Sequence, residues 1–156
     1  MLSGVRILVA EDECLIALDL ADMFEDAGAT VIGPAAPVRE ALSLLATERV
    51  DRAILDFNLA DGEVTPVLEM LSSKGVPIVV YTGRGLPNEL SSKHPDVTVL
   101  RKPERAERLI TELAAAKGKV LPECDWQGNG PPLCGNDVTR RGNLCPQNPQ
   151  HILSTI

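Results

Sequence analysis

Five short apolar runs, each followed by a stretch with helical spacing or by glycine-rich chain, leave this sequence few ways to fold. VRILVA at residues 5–10 is apolar at nearly every position and breaks off at Glu11, Asp12 and Glu13. A strand with one wet face alternates apolar and polar residues, whereas one apolar throughout must be covered on both faces, as in a parallel sheet between helices. The run at 29–33 is a weaker second strand, AILD at 53–56 a third, PIVVYT at 77–82 a fourth and VTVL at 97–100 a fifth. Between them Ile16, Leu20, Met23, Phe24 and Ala27 recur at three- and four-residue spacing, a helix that Gly28 ends. Val38, Ala41, Leu42, Leu45 and Ala46 mark a second helix, and Val64, Val67, Leu68 and Leu71 a third. Residues 83–96 hold Gly83, Gly85, Pro87 and Pro95, so the fourth helix is short and weakly specified. Pro103 opens the last helix, which carries Ala106, Leu109, Ile110, Leu113 and Ala114 and closes near Gly118. The expected fold is α/β, a doubly wound five-stranded parallel sheet flanked by five helices.

This pattern stops at residue 118. Beyond it Pro122, Pro131, Pro132, Pro146 and Pro149 are scattered among glycines and asparagines, and only Glu123, Asp125 and Asp137 remain of the acidic side chains. Residues 1–118 are therefore read as one domain and 119–156 as an irregular extension. With 22 acidic against 15 basic side chains the net charge is -7, a poor match to a phosphate backbone. Direct nucleic-acid binding is not expected. No apolar run approaches the ~18 residues of a membrane span, so a cytoplasmic chain without membrane contact is expected, its four cysteines reduced. Cys124, Cys134, Cys145 and His151 lack the short C-x-x-C spacing of a structural zinc site. Trp126 with Leu133 is expected to dock the extension on the domain, the alternative being a loose extension available to a partner.

In an open parallel sheet ligands gather beyond the carboxyl ends of the strands. The residues there are Glu11 and Asp12 after the first strand, Asp56 after the third, Thr82 after the fourth, and Arg101, Lys102 and Pro103 after the fifth. Carboxylates brought this close raise one another's pKa unless a cation intervenes. Hard oxygen donors with neither His nor Cys beside them suit Mg²⁺ better than zinc. A fixed ammonium and a hydroxyl facing a metal-bound carboxylate form a cradle for a phosphoryl group. Taken singly, each residue has a plainer reading: helix-start acids for Glu11 to Glu13, a loop cap for Asp56, strand filler for Thr82, a solvated lysine for Lys102. Gly83-Arg84-Gly85 supplies flexibility rather than a phosphate loop.

Together, Glu11–Asp12, Asp56 within ILDFNLADG, Thr82 within VVYTG and Lys102 within LRKP resemble the receiver domain of two-component response regulators, over about residues 4–118. The resemblance implies a flavodoxin-like fold and a stand-alone receiver with a C-terminal extension. It implies that Asp56 accepts a phosphoryl group from a sensor histidine kinase or phosphotransfer protein and that the chain signals through a downstream protein. Glu11, Asp12, Asp56 and the backbone carbonyl of Asn58 would hold Mg²⁺, Thr82 and Lys102 would bind phosphoryl oxygens, and the Lys102–Pro103 bond would be cis. Such a chain is a phosphoryl acceptor with slow self-dephosphorylation, not an enzyme in the usual sense.

Two positions depart from that family's pattern. Val99 stands three residues before the lysine, where an aromatic switch is frequent, and Tyr81 lies on the opposite sheet face, so it is no obvious substitute. Ala60 replaces a frequent proline, which should loosen the loop after Asp56. A subset of receivers that answer HWE-type sensor kinases looks similar, with an N-L-x-D/G-G loop and no switch aromatic. Without that aromatic, phosphorylation is expected to act by ordering residues 83–96. A haloacid-dehalogenase-like phosphatase would need a second aspartate where Asn58 stands. The other alternative is a receiver-like binding module that is not phosphorylated.

Overall fold

A computed structural model describes residues 2–118. Over them the chain runs β1 (Arg6–Ala10), α1 (Cys14–Asp26), β2 (Thr30–Ala35), α2 (Val38–Thr47), β3 (Arg52–Leu55), β4 (Asn58–Leu59), β5 (Gly62–Glu63), α3 (Thr65–Ser73), β6 (Ile78–Thr82), α4 (Asn88–Lys93), β7 (Thr98–Arg101) and α5 (Ala106–Ala115). The main sheet has the order β2-β1-β3-β6-β7 with every pairing parallel, and β4 and β5 form a two-residue antiparallel ribbon. The readings of the extension, including Trp126, Leu133, Cys124, Cys134, Cys145 and His151, lie outside the described residues.

Period-two alternation sorts the strand side chains into two cores. Leu8, Ala10, Ala53, Leu55, Ile78 and Val80 pack with Ala41 and Leu45 of α2 and with Val67, Leu68 and Leu71 of α3. Ile7, Val9, Ile54, Val79, Tyr81 and Leu100 pack with Leu20 and Phe24 of α1 and with Leu109 and Leu113 of α5. Both faces are covered, which is why β1, β3 and β6 read as unbroken apolar runs. Gly28 takes a φ of +88°, the left-handed position that stops α1.

Some boundaries differ from the sequence reading. β2 runs on through Pro34 to Ala35 instead of ending at Gly33, because the Glu11 N–H bonds the Ala35 carbonyl at 3.0 Å beyond a register shift. At Gly33, with φ +102°, a Cβ would lie 2.9 Å from the Val9 carbonyl oxygen, so that crossing needs glycine. Pro103 does not open α5. The helix starts at Ala106 after an extended Arg105, and Pro103 lies in the turn before it.

Three helix ends are closed by distant side chains. The Arg52 guanidinium donates to the carbonyls of Leu113 and Ala116, both at 2.8 Å, and the Lys74 ammonium to that of Leu45 at 2.9 Å. Asp61 accepts the N–H groups of Val38 and Arg39 at 2.5 and 3.3 Å, capping α2 from the turn of the β4–β5 ribbon. The Ala60 N–H also donates to the Ala36 carbonyl at 3.1 Å. The loop after Asp56 is thus pinned, not loosened: proline has no N–H, so alanine here permits a bond the commoner residue forbids.

Candidate functional site

Parallel register brings the two central carboxylates together. Ala10 of β1 pairs with Leu55 of β3, so the next residues, Glu11 and Asp56, leave neighbouring strands side by side. The ladder continues one step further through the Asp56 N–H to the Ala10 carbonyl at 2.8 Å. On the other flank Thr82 pairs with Arg101, and the Lys102 N–H bonds the Thr82 carbonyl at 3.1 Å. Sheet geometry thus delivers a lysine to the same edge as two acids that lie 91 and 46 residues away in sequence.

The Lys102 ammonium bridges those acids, 2.6 Å from Glu11 Oε2 and 2.7 Å from Asp56 Oδ2. Glu11 is nearly sealed at 2% exposure, Asp56 is at the edge of burial at 9%, and the Lys102 side chain keeps 13%. Glu11 Oε1 accepts the Glu13 N–H at 3.2 Å, so both of its oxygens are engaged. Burial pushes the Glu11 carboxyl above its ordinary value, against the hydrogen bonds of Lys102 and Glu13. Burial also opposes the Lys102 charge, but Asp56 and Glu11 together outweigh it and hold the ammonium above the usual lysine value. At neutral pH the pocket therefore keeps a fixed positive charge between its acids.

The remaining sequence-predicted residues converge on the same edge. Asp12 is exposed beside Glu11, and Thr82, 1% exposed, ends β6. Asn58 opens β4 two residues past Asp56, with its side chain exposed. The Lys102–Pro103 bond is cis, as the resemblance implies. Carboxylate oxygens of Glu11, Asp12 and Asp56 lie within 4.8 Å of one another. Three hard oxygen donors at that spacing, one of them exposed, fit a divalent ion that keeps waters, which is the character of Mg²⁺.

Sequence reasoning missed what Tyr81 touches. It does face away from Val99, as the alternation requires, for the two side chains belong to opposite cores. Yet its hydroxyl accepts the Glu104 N–H at 3.1 Å, and its ring centroid is 5.5 Å from Lys102 Nζ. The only hint in the sequence is that a tyrosine in a buried strand needs a partner for its hydroxyl. The β4–β5 ribbon was missed as well, being two residues a side.

Residues 7–114 match the family model described as the response regulator receiver domain. The chain is 38% identical over 79 residues to the transcriptional regulatory protein PdtaR of Mycobacterium tuberculosis, covering 49% of this chain and 38% of that protein. It is 38% identical over 82 residues to the phyllosphere-induced regulator PhyR of Methylorubrum extorquens, covering 51% of this chain and 31% of that one. The matched stretch is thus about a third of the length of those relatives. Among solved structures, SdrG from Sphingomonas melonis Fr1 superposes with a TM-score of 0.62 at 37% identity, covering 74% of this chain and 98% of SdrG.

Proposed function

The chain belongs to the response regulator receiver domain family, and from that membership we propose that Asp56 is its phosphoryl acceptor in a two-component relay. The observation that carries this reading is the Lys102 ammonium held between Glu11 and Asp56 at the carboxyl edge of the sheet. An Asp56 oxygen attacks phosphorus, the O–P bond forms as the N–P bond of a donor phosphohistidine breaks, and the histidine leaves with its electron pair. Charge neutralisation and positioning do most of the catalytic work in such transfers. When the acceptor oxygen is phosphorylated, forming an acyl phosphate, Lys102 turns from Asp56 to a phosphoryl oxygen while still tied to Glu11. The Thr82 hydroxyl donates to a second phosphoryl oxygen. Glu11, Asp12, Asp56 and the Asn58 carbonyl would hold Mg²⁺, which would supply neutralisation of the charge gathered there.

The donor is a sensor histidine kinase or a phosphotransfer protein. Leu15 and Leu18 stand one turn apart on α1 beside the acidic mouth, 78% and 52% exposed. Such apolar side chains suit the helix that presents a phosphohistidine. Output passes to a downstream protein, with the phosphorylated state read by changed order in residues 83–96. We further propose that residues 1–118 are the receiver and 119–156 an accessory extension. The test is intact mass after incubation with acetyl phosphate and Mg²⁺, repeated with a phosphorylated kinase as donor. The parent should gain one phosphate and Asp56→Asn none; equal gain in both, or none in either with both donors, would overturn the reading.

A further inference from the structure

Beneath the phosphoryl pocket lies an aromatic ring that the transfer chemistry does not require. Tyr81, the chain's single tyrosine, is 7% exposed on the α1 and α5 side of the sheet, among Leu100, Leu109 and Leu113. It precedes Thr82 in β6, its ring centroid is 5.5 Å from Lys102 Nζ, and its hydroxyl accepts the Glu104 N–H at 3.1 Å. One rigid side chain therefore lies within cation–π range of the ammonium and hydrogen-bonds the turn that carries it. We infer that Tyr81 is the positioning residue for Lys102, supporting the ammonium with its ring and fixing the turn from Lys102 to Arg105 with its hydroxyl.

The need for such a support follows from the chemistry. A lysine ammonium rides on four flexible carbons. Of its two carboxylate partners, Asp56 is altered by phosphorylation, so Asp56 cannot by itself hold the ammonium in place through the reaction. The ring face attracts a cation within ~6 Å whatever the state of Asp56. The hydroxyl bond to Glu104 does not involve Asp56 either. Tyr81 thus supplies two contacts that persist while the ammonium swings from carboxylate to phosphoryl oxygen. It works from the opposite sheet face to the vacant switch position at Val99, and it positions where an aromatic there would rotate.

The inference rests on Asp56 as acceptor, and its test separates the two. In the full chain, Tyr81→Phe keeps the ring and loses only the hydroxyl, while Tyr81→Leu loses both. At saturating Mg²⁺ the initial rate of phosphate uptake from acetyl phosphate should fall about three- to tenfold in Tyr81→Phe, the worth of one hydrogen bond. It should fall further in Tyr81→Leu. The Mg²⁺ concentration giving half the maximal rate should not move, because Tyr81 touches none of the carboxylates; damage to the fold would move both. By NMR, the ring-current displacement of the Lys102 Hε protons should vanish in Tyr81→Leu, and the Glu104 amide should exchange faster in Tyr81→Phe. A rate within about twofold of the parent, less than the worth of one hydrogen bond, or a fall matched by a shift in Mg²⁺ dependence, would overturn the inference. If the parent takes up no phosphate the acceptor reading fails, and unchanged Lys102 and Glu104 signals would then reject the positioning role independently.

Discussion

At Lys102 a single side chain decides whether two acids can share a pocket. Removing it in Lys102→Ala leaves Glu11 buried without its cation, and the predicted cost is about 1–3 kcal/mol of stability, from the desolvated group left unmatched. Thermal unfolding should show a larger loss in chelator than with excess Mg²⁺, because a bound divalent ion replaces part of the missing charge. An equal loss in both would mean that the acids do not share an ion. Asp51 makes a second residue-scale prediction. Its carboxylate accepts the Arg6 N–H at 3.0 Å and the Arg49 guanidinium at 2.9 Å, and the first of these chiefly holds the carboxyl below its ordinary value. A group lowered in the fold stabilises above the unfolded value near ~3.9 and loses that contribution as pH falls through its folded value. Asp51→Asn should therefore be about 1 kcal/mol less stable than the parent at pH 7. In urea titrations the gap should shrink once pH falls below the ordinary aspartate value, and close only when pH has passed beneath the lowered value of the folded state.

Among the elements, the roles proposed for α1 and for the stretch 83–96 can be separated by experiment. Leu18→Asp changes an exposed position, so stability should stay within ~0.5 kcal/mol. Transfer from a histidine kinase should slow at least ~10-fold if the face is buried against the donor, while uptake from acetyl phosphate stays at the parent rate; slowing with both donors would locate the defect in the pocket. Residues 83–96 contain only the six-residue α4 with no buried side chain, and Gly85 has a φ of +83°. Few apolar contacts hold this segment, so it belongs to the low-stability end of the fold. Backbone NMR relaxation with beryllofluoride should show its fast motion quenched, and unchanged relaxation would place the response elsewhere. How far such elements were legible in the sequence depended on length and locality. α1 and α5 announced themselves by three- and four-residue spacing over more than two turns. α4 was too short to do so, and α2 takes its cap from Asp61, more than twenty residues downstream, which no local pattern reveals.

At the scale of the molecule, among the described residues the two cores draw on residues 2–116, on the two faces of one sheet. A chain ending at residue 118 should therefore unfold in one cooperative transition and keep Mg²⁺-dependent phosphate uptake; loss of either would assign part of the domain to the extension. By itself the sequence determined the layered parallel sheet, because only strands covered on both faces read as unbroken apolar runs, and it determined which residues end those strands. It also supplied the five acid, hydroxyl and ammonium positions, since a residue following a strand must emerge at the sheet's edge. Tertiary structure alone decided that Lys102 bridges Glu11 and Asp56, that Asp61 and Ala60 pin the loop after Asp56, and that Tyr81 lies beneath the lysine. Those contacts join segments twenty or more residues apart, and their partners are chosen by strand order and register, which side-chain periodicity along one strand does not encode.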